Sequence, residues 1–287
     1  MKRIYVVGSL NMDLVIETPY MPQAGETIKG CNFATNAGGK GANQAMACGR
    51  LGGAVSMCGV VGKDAFGETL VCGLQENGVD VRYIRKAEAP TGIAMIILEN
   101  GDNRIILDSG ANAHLTCDDI DRFLENAQEG DIFLTQLECP IPVIGYGLQR
   151  AKERRMVTVL NPAPGNREIF PYLQYVDIIT PNQTELGIMG GLDALLNEGI
   201  SYIVTTLGGD GFEIADRTTS RHFPCLKVNA VDTTAAGDTL CGGLVVGLAE
   251  GKTLAESAML GSKAASIACT RYGAQKSIPT REEVESY

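Results

Sequence analysis

The sequence predicts an α/β fold: a three-layer α/β/α sandwich around a mainly parallel sheet, with a small second β-sheet projecting from it. Three observations predict it. Short apolar runs alternate with segments of helical period almost from the first residue. Polar or glycine-rich clusters follow several of the strand-like runs. Two stretches, 14–33 and 92–107, alternate with period two and have no helix after them.

The elements follow in order. Residues 4–7 (Ile-Tyr-Val-Val) make a buried strand, and 41–51 a helix with Ala42, Ala45, Met46 and Gly49 on one face. A strand over 55–60 precedes a helix over 67–77 that stops at Gly78. A helix over 118–128, closed by Gly130, leads to a strand over 132–137. Then come a helix over 143–154, strands over 157–160 and 176–180, a short helix over 194–198 and a strand over 202–207. The two strongest helices are 235–250 and 254–270, and the tail after Arg281 is too short for a full final helix. A β-α-β-α order calls for parallel strands joined by helices on both faces. Residues 91–98 with Asn100-Gly101-Asp102 read as a hairpin. No linker or repeat divides the chain, so 1–287 is one domain with 14–33 and 92–107 inserted in it.

Composition narrows the function. The chain has 287 residues, 45% hydrophobic and 20% charged, which is ordinary for a globular domain. Its net charge is −10 and no Lys/Arg run exceeds two, so neither nucleic acid nor an anionic membrane is an expected partner. The nine cysteines never fall in a CxxC spacing. The start lacks a signal-like apolar region, no apolar run is long enough to span a bilayer, and a reducing, cytoplasmic location is expected. Two histidines make His-rich metal sites improbable.

Six clusters carry chemistry. Gly8-Ser9-Leu10-Asn11-Met12-Asp13 follows the first strand, where ligands bind in open α/β sheets. Asn11 and Asp13 suit a polyhydroxylated ligand, and suit an Asx-rich turn equally well. Asn36-Ala37-Gly38-Gly39-Lys40-Gly41-Ala42-Asn43-Gln44 is a glycine-rich turn opening a helix, which aims backbone amides and a helix dipole at a polar ligand. It is neither a Walker A loop nor GxGxxG. Thr180-Pro181-Asn182-Gln183-Thr184-Glu185 could orient Mg²⁺-bound water and phosphate, or simply cap a helix through Asn182 and Glu185. Thr206-Leu207-Gly208-Gly209-Asp210-Gly211 is either a phosphate-approaching loop or a hairpin turn.

Val231-Asp232-Thr233-Thr234-Ala235-Ala236-Gly237-Asp238-Thr239 is the most specific cluster. Small residues before an acid leave the amides of Ala236, Gly237 and Asp238 free to face developing negative charge. A carboxylate there can take a hydroxyl proton. Arg271-Tyr272-Gly273-Ala274-Gln275-Lys276-Ser277 could offer turn carbonyls and Ser277 to a monovalent cation near Asp232, or be an ordinary helix-terminating turn.

In this order the clusters resemble the ribokinase family of carbohydrate kinases over nearly the whole chain. Pro22–Thr27, Gly59–Gly67, Ser109–Ala113, Gln136-Leu137-Glu138 and Asn161-Pro162-Ala163-Pro164 join the resemblance, and the segments Gly39 to Asn43 and Ala235 to Asp238 are its specific parts. The resemblance implies transfer of the ATP γ-phosphate to the 5-hydroxyl of D-ribose. It implies Asp238 as catalytic base and Ala235, Ala236 and Gly237 as the anion hole. It places Asn11, Asp13, Gly39, Lys40, Gly41, Asn43 and Glu138 at the sugar. Asn182, Glu185, Thr206, Gly208, Gly211 and Ser262 fall to the nucleotide, with Glu185 reaching Mg²⁺ through water. Asp232, Thr234, Ala268, Arg271, Gly273 and Ser277 fall to an activating K⁺, several through carbonyls. The β-rich stretches become a lid that also pairs subunits into a homodimer.

Two departures stand out: Ala235 replaces the family's commoner Gly, and 185–201 is shorter than usual, implying a trimmed element beside the nucleotide half. Sibling kinases acting on a nucleoside, pseudouridine or another sugar remain alternatives, as does a sugar-binding regulator without catalysis. A dinucleotide-dependent dehydrogenase would need GxGxxG after the first strand, and Gly8 to Asp13 lack it.

Overall fold

A computed structural model describes residues 1–99 and 102–287. Strand β1 (Ile4–Val7) leads into β2 (Asn11–Thr18), β3 (Cys31–Gly38) and helix α1 (Lys40–Arg50). Strand β4 (Val55–Gly62), helix α2 (Ala65–Glu76), and strands β5 (Asp80–Ala87), β6 (Gly92–Glu99) and β7 (Asp102–Asp108) follow. Next come α3 (Cys117–Phe123), β8 (Ile132–Thr135), α4 (Ile141–Glu153), β9 (Val157–Leu160) and β10 (Ile178–Ile179). The chain continues through α5 (Gln183–Ile188), α6 (Gly191–Asn197), β11 (Tyr202–Thr206), β12 (Phe212–Ala215) and β13 (Ser220–Phe223). It finishes with α7 (Ala236–Ala249), α8 (Leu254–Ala268) and the short α9 (Arg281–Ser286).

Among the described residues the larger sheet runs β13-β12-β11-β10-β9-β8-β1-β4-β5. It is parallel from β11 to β5, with β12 and β13 antiparallel at one edge. Side-chain alternation builds two cores. Ile4, Val6, Met57, Ile132, Leu134 and Val159 pack with α1, α2, α7 and α8 on one face. Tyr5, Val7, Cys58, Phe133, Leu160 and Ile203 pack with α3 and α4 on the other. Both faces are therefore covered, as a parallel sheet requires. Helix α7 is buried almost all round. A β-carbon on Gly243 would lie 2.5 Å from Gly261 Cα, so the glycine pair lets α7 and α8 close on each other.

The second sheet runs β3-β2-β6-β7. It reaches beyond the expected 14–33 and 92–107. β2 already starts at Asn11, which pairs with Gly38 and Gly92, and β3 runs to Gly38. The glycines and asparagines that read as loop are paired strand residues here. The expected turn at Asn100 and Gly101 lies outside the described residues.

Several boundaries differ for identifiable reasons. α2 starts two residues early because Asp64 caps it, accepting the Gly67 amide at 2.8 Å. α3 stops at Phe123, where the Arg154 guanidinium takes the Leu124 carbonyl at 3.0 Å. α8 stops at Ala268, because the amides of Val231 (2.7 Å) and Asp232 (3.2 Å) take the Cys269 carbonyl. The 176–180 strand contracts to Ile178–Ile179 and the 132–137 strand to Ile132–Thr135. Two short helices, α5 and α6, fill the shortened 185–201 region.

Candidate active site

β1 lies between β4 and β8, and the chain winds away from it in both directions. The carboxyl ends of β1 and β8 therefore frame the switch-point crevice, the expected ligand position in such sheets. Ser9 and Asn11 leave β1 there, Gln136 and Glu138 leave β8, Asn161 leaves β9, and Thr180 and Asn182 leave β10.

Glu138 organises one side. Its Oε2 accepts from Ser9 Oγ (2.6 Å), the Lys40 amide (3.1 Å) and, at the limit, Asn11 Nδ2 (3.5 Å). Asn112 fixes Asn11 by donating to its Oδ1 at 2.7 Å, and also accepts the Leu10 amide at 2.9 Å. The Asp13 carboxylate faces the same space from β2 and accepts no hydrogen bond among the described residues. Burial, then the charges of Glu138 and Asp238, push its pKa up to about 7. Gly39 sits at φ 88°, and a β-carbon on Gly41 would lie 2.6 Å from the Gly8 and Ser9 backbone. Those two glycines let α1 begin against the end of β1.

Asp238 sits in the first turn of α7 and is buried, only 7% exposed. Asn43 Nδ2 donates to its Oδ2 and Gln44 Nε2 to its Oδ1, both at 2.9 Å. Burial drives its pKa up, while Lys40 and these donors pull down and Glu138 pushes up; the net direction is upward. Lys40 is pressed down by burial, but Asp238, Glu138 and Glu185 overcome this and hold it above its ordinary value. Asn43 Oδ1 is buried without a partner.

Ala235 caps α7 in a left-handed conformation, φ 60° and ψ 11°. One expectation is corrected here. The Ala236 amide is not free, since it donates to the Thr233 carbonyl at 3.2 Å. The amides of Gly237 and Asp238 have no acceptor among the described residues. They open into a cavity of about 240 Å³ lined by Lys40, Asn182, Glu185, Thr206 and Asp238. Through Thr206, Thr233, Ala236 and Gly237 it joins a second, more apolar cavity of about 230 Å³. Gly208, Gly211, Val228, Leu240 and Ser262 line that one. On the other side, a third cavity of about 480 Å³ includes Asn11, Asn112 and Glu138.

Asn182 and Glu185 form a reciprocal capping box at the start of α5, with bonds of 2.9 and 2.8 Å. The capping reading holds, and both residues still line the cavity. Glu185 Oε2 is used by the cap, leaving Oε1 available. Burial raises its pKa against the pull of the Asn182 amide and Lys40. Thr206 to Gly211 do make a hairpin, closed by the Leu207 amide on the Gly211 carbonyl at 2.8 Å.

Asp232 stands apart from these cavities. Its Oδ1 accepts the Thr234 amide (2.9 Å) and hydroxyl (2.6 Å), and its Oδ2 the Gly273 amide (2.9 Å). It thereby ties the loop before α7 to the turn after α8. Ser277 Oγ donates to the Ala274 carbonyl at 2.8 Å, which keeps its lone pairs free. The carbonyls of Thr234, Arg271 and Gly273 carry no hydrogen bond among the described residues, whereas Ala268 accepts from Arg271 at 3.1 Å. The Arg271 guanidinium points away, onto Glu283 at 2.7 Å. Among the described residues no group of three or more His, Cys, Asp or Glu side chains is placed to hold a metal ion.

Sequence reasoning named Gln44, Gln136 and Asn161 only as parts of motifs. The structure joins all three to the site: Gln44 to Asp238, Gln136 to Gln44, and Asn161 to Gln44.

A buried carboxylate under a helix start, beside two free amides, can take a hydroxyl proton and face a developing negative charge. The pfkB family carbohydrate kinase profile matches residues 1–281, and the chain belongs to that family. It is 38% identical to the ribokinase of Haemophilus influenzae, over 98% of this chain and 97% of that one. It superposes on the ribokinase of Thermotoga maritima with a TM-score of 0.89 and 36% identity, over 100% and 99% of the two chains. Arabidopsis thaliana ribokinase complexed with ribose and ATP gives a TM-score of 0.89 at 29% identity, over 99% and 98%. No described helix is long and apolar enough to cross a membrane.

Proposed function

We propose that the chain transfers the γ-phosphoryl group of ATP to the 5-hydroxyl of D-ribose, giving ribose 5-phosphate and ADP. One observation carries the reading: the buried Asp238 carboxylate and the unpartnered Gly237 and Asp238 amides line one cavity, which joins a second, more apolar one through Thr206, Thr233, Ala236 and Gly237. The full-length likeness to ribokinases supports the choice of sugar.

Asp238 takes the proton of the 5-hydroxyl as its oxygen attacks the γ-phosphorus. The bond to the bridging oxygen breaks and ADP leaves. Phosphoryl transfer asks for in-line placement and charge neutralisation more than covalent help. The Gly237 and Asp238 amides and Lys40 supply the latter. Asn11, Asp13, Gly39, Gly41, Glu138 and the free Asn43 Oδ1 hold the sugar hydroxyls. Gly208, Gly211 and Ser262 line the nucleotide side.

Glu185, whose Oε1 is free of the cap, fits Mg²⁺, which keeps most of its waters and leans on substrate phosphates. Bound there, the ion would neutralise phosphate charge. The free carbonyls of Thr234, Arg271 and Gly273, with Asp232, Ala268 and Ser277, fit an activating K⁺. The second sheet closes over the sugar and keeps water from the phosphoryl group. Phe33, Ile105, Ile106 and Leu107, each more than half exposed on its edge strands, offer a second copy an apolar surface for dimerisation.

The experiment is an acceptor panel with ATP: ribose, deoxyribose, other pentoses, nucleosides and pseudouridine. Preferential turnover of ribose supports the reading. A preference for a nucleoside moves the chain to a sibling activity. Sugar binding without ADP formation would make it a regulator.

A further inference from the structure

Gln44 has no part in the scheme above, yet it is fully buried beside Asp238. Its Oε1 accepts from Gln136 Nε2 at 2.7 Å. Gln136 Oε1 has no partner of its own, so the Gln44 amide is oriented from its other end, where Nε2 donates to Asp238 Oδ1 (2.9 Å) and to Asn161 Oδ1 (3.1 Å). Asn161 is fixed in turn, because its Nδ2 donates to the Thr180 carbonyl at 2.8 Å. A chain of amides with one polarity therefore runs from Gln136 through Gln44 and Asn161 to Thr180, with a single branch to the carboxylate.

We propose that Gln44 is a positioning residue for the base, holding Asp238 Oδ1 with a donor that cannot turn round. The inference rests on Asp238 being the base of the proposed reaction. Asn43 restrains Oδ2 from the same helical turn, so neighbouring residues grip both oxygens and each keeps a lone pair for the acceptor hydroxyl. The grip also favours the ionised form, which the site otherwise resists. Burial, Glu138 after β8, Asp13 on β2 and Glu185 on α5 disfavour the charge; Lys40, Asn43 and Gln44 on α1 favour it. Cys241, one turn further along α7, stays a neutral thiol, its pKa pushed up to about 12.

Gln44→Met tests this, since it keeps the length of the side chain and adds no charge but removes the donor facing Asp238. The expected result is an acid limb of the kcat profile displaced upward by at least about one pH unit, equivalent to about tenfold in the ionised fraction below it. Ribose affinity should stay within about threefold, because uniform binding is untouched. Gln136→Leu, which takes away the partner of Gln44 Oε1, should displace the limb in the same direction by less. It also serves if Gln44→Met does not fold. An unmoved limb in a folded variant overturns the proposal, whatever happens to the rate. Titration of the Asp238 carboxyl by carbon-13 NMR reads the same shift without any acceptor. An unshifted titration overturns the Gln44 role even where the wild type fails on ribose, a failure that sinks the functional reading instead.

Discussion

Asn43 donates its side-chain amide to Asp238 at 2.9 Å across 195 residues of sequence. The bond ties the first turn of α1 to the first turn of α7. Both helix starts therefore aim at one point, where the dipoles favour negative charge. The other end of the Asn43 amide, Oδ1, has no partner and is buried, which in the proposed reaction is the acceptor left for a sugar hydroxyl.

In the proposed reaction Asp238 takes the hydroxyl proton, and Asp238→Ala removes that group. A positioned general base is worth about 10²–10⁴-fold. The variant should lose at least about 100-fold in kcat while its ribose affinity, read by calorimetry, stays within about tenfold. Turnover within about tenfold of wild type would remove Asp238 from the role of base.

Asp13 gives a pH signature of its own. Its pKa is about 7 in the folded chain against an ordinary 3.8. Between those values the folded state holds a proton that the unfolded state has lost, so stability falls as pH rises from 3.8 to about 7 and is level above. Asp13→Asn removes that penalty. It should stabilise the protein at pH 8 by about 1–3 kcal/mol, after allowance for solvent screening, and the gain should shrink toward pH 4. Denaturant melts at the two pH values measure this. A gain equal at both would mean that the carboxylate is not under electrostatic strain. The same variant should bind ribose more weakly, having lost an acceptor.

The larger sheet was legible because its strands are apolar and its helices keep a clear period. β5 was missed because Arg82, Arg85 and Lys86 interrupt its apolar pattern at the sheet edge. β13, Ser-Arg-His-Phe, fails the same way at the other edge. At the site, charged and glycine-rich positions stand out in the sequence, and the structure brings Asn11, Asp13, Lys40, Glu138 and Asp238 close to one another. The uncharged amides of Gln44, Gln136 and Asn161 gave no local signal. Their polarity has meaning only once three strand ends and one helix meet. Ala236 was misjudged for a related reason, because the Thr233 carbonyl that occupies its amide depends on the left-handed turn at Ala235.

Asp232 links the loop before α7 to the turn at Gly273, so an ion held there would stiffen the approach to the anion hole. Rates measured in potassium chloride should exceed those in tetramethylammonium chloride at equal ionic strength. Asp232→Ala should abolish the difference and lower the rate in both. Equal wild-type rates in the two salts would rule out the ion site.

Ala235 holds φ 60° and ψ 11°, a conformation that costs an L-residue about 1–2 kcal/mol. What keeps it there is its carbonyl, which accepts both the amide and the hydroxyl of Thr239 at 2.8 Å. A glycine would retain both bonds and shed the steric cost, at an entropic penalty of about 0.5–1 kcal/mol. Ala235→Gly should therefore stabilise the chain by up to about 1 kcal/mol, a rise of a few degrees at most in the melting temperature. Its kcat should remain within about twofold, because the Gly237 and Asp238 amides keep their directions. A fall in melting temperature would show that the Ala235 methyl packs favourably enough to outweigh its backbone. A large fall in kcat at unchanged stability would show instead that the turn must be stiff to hold the anion hole open.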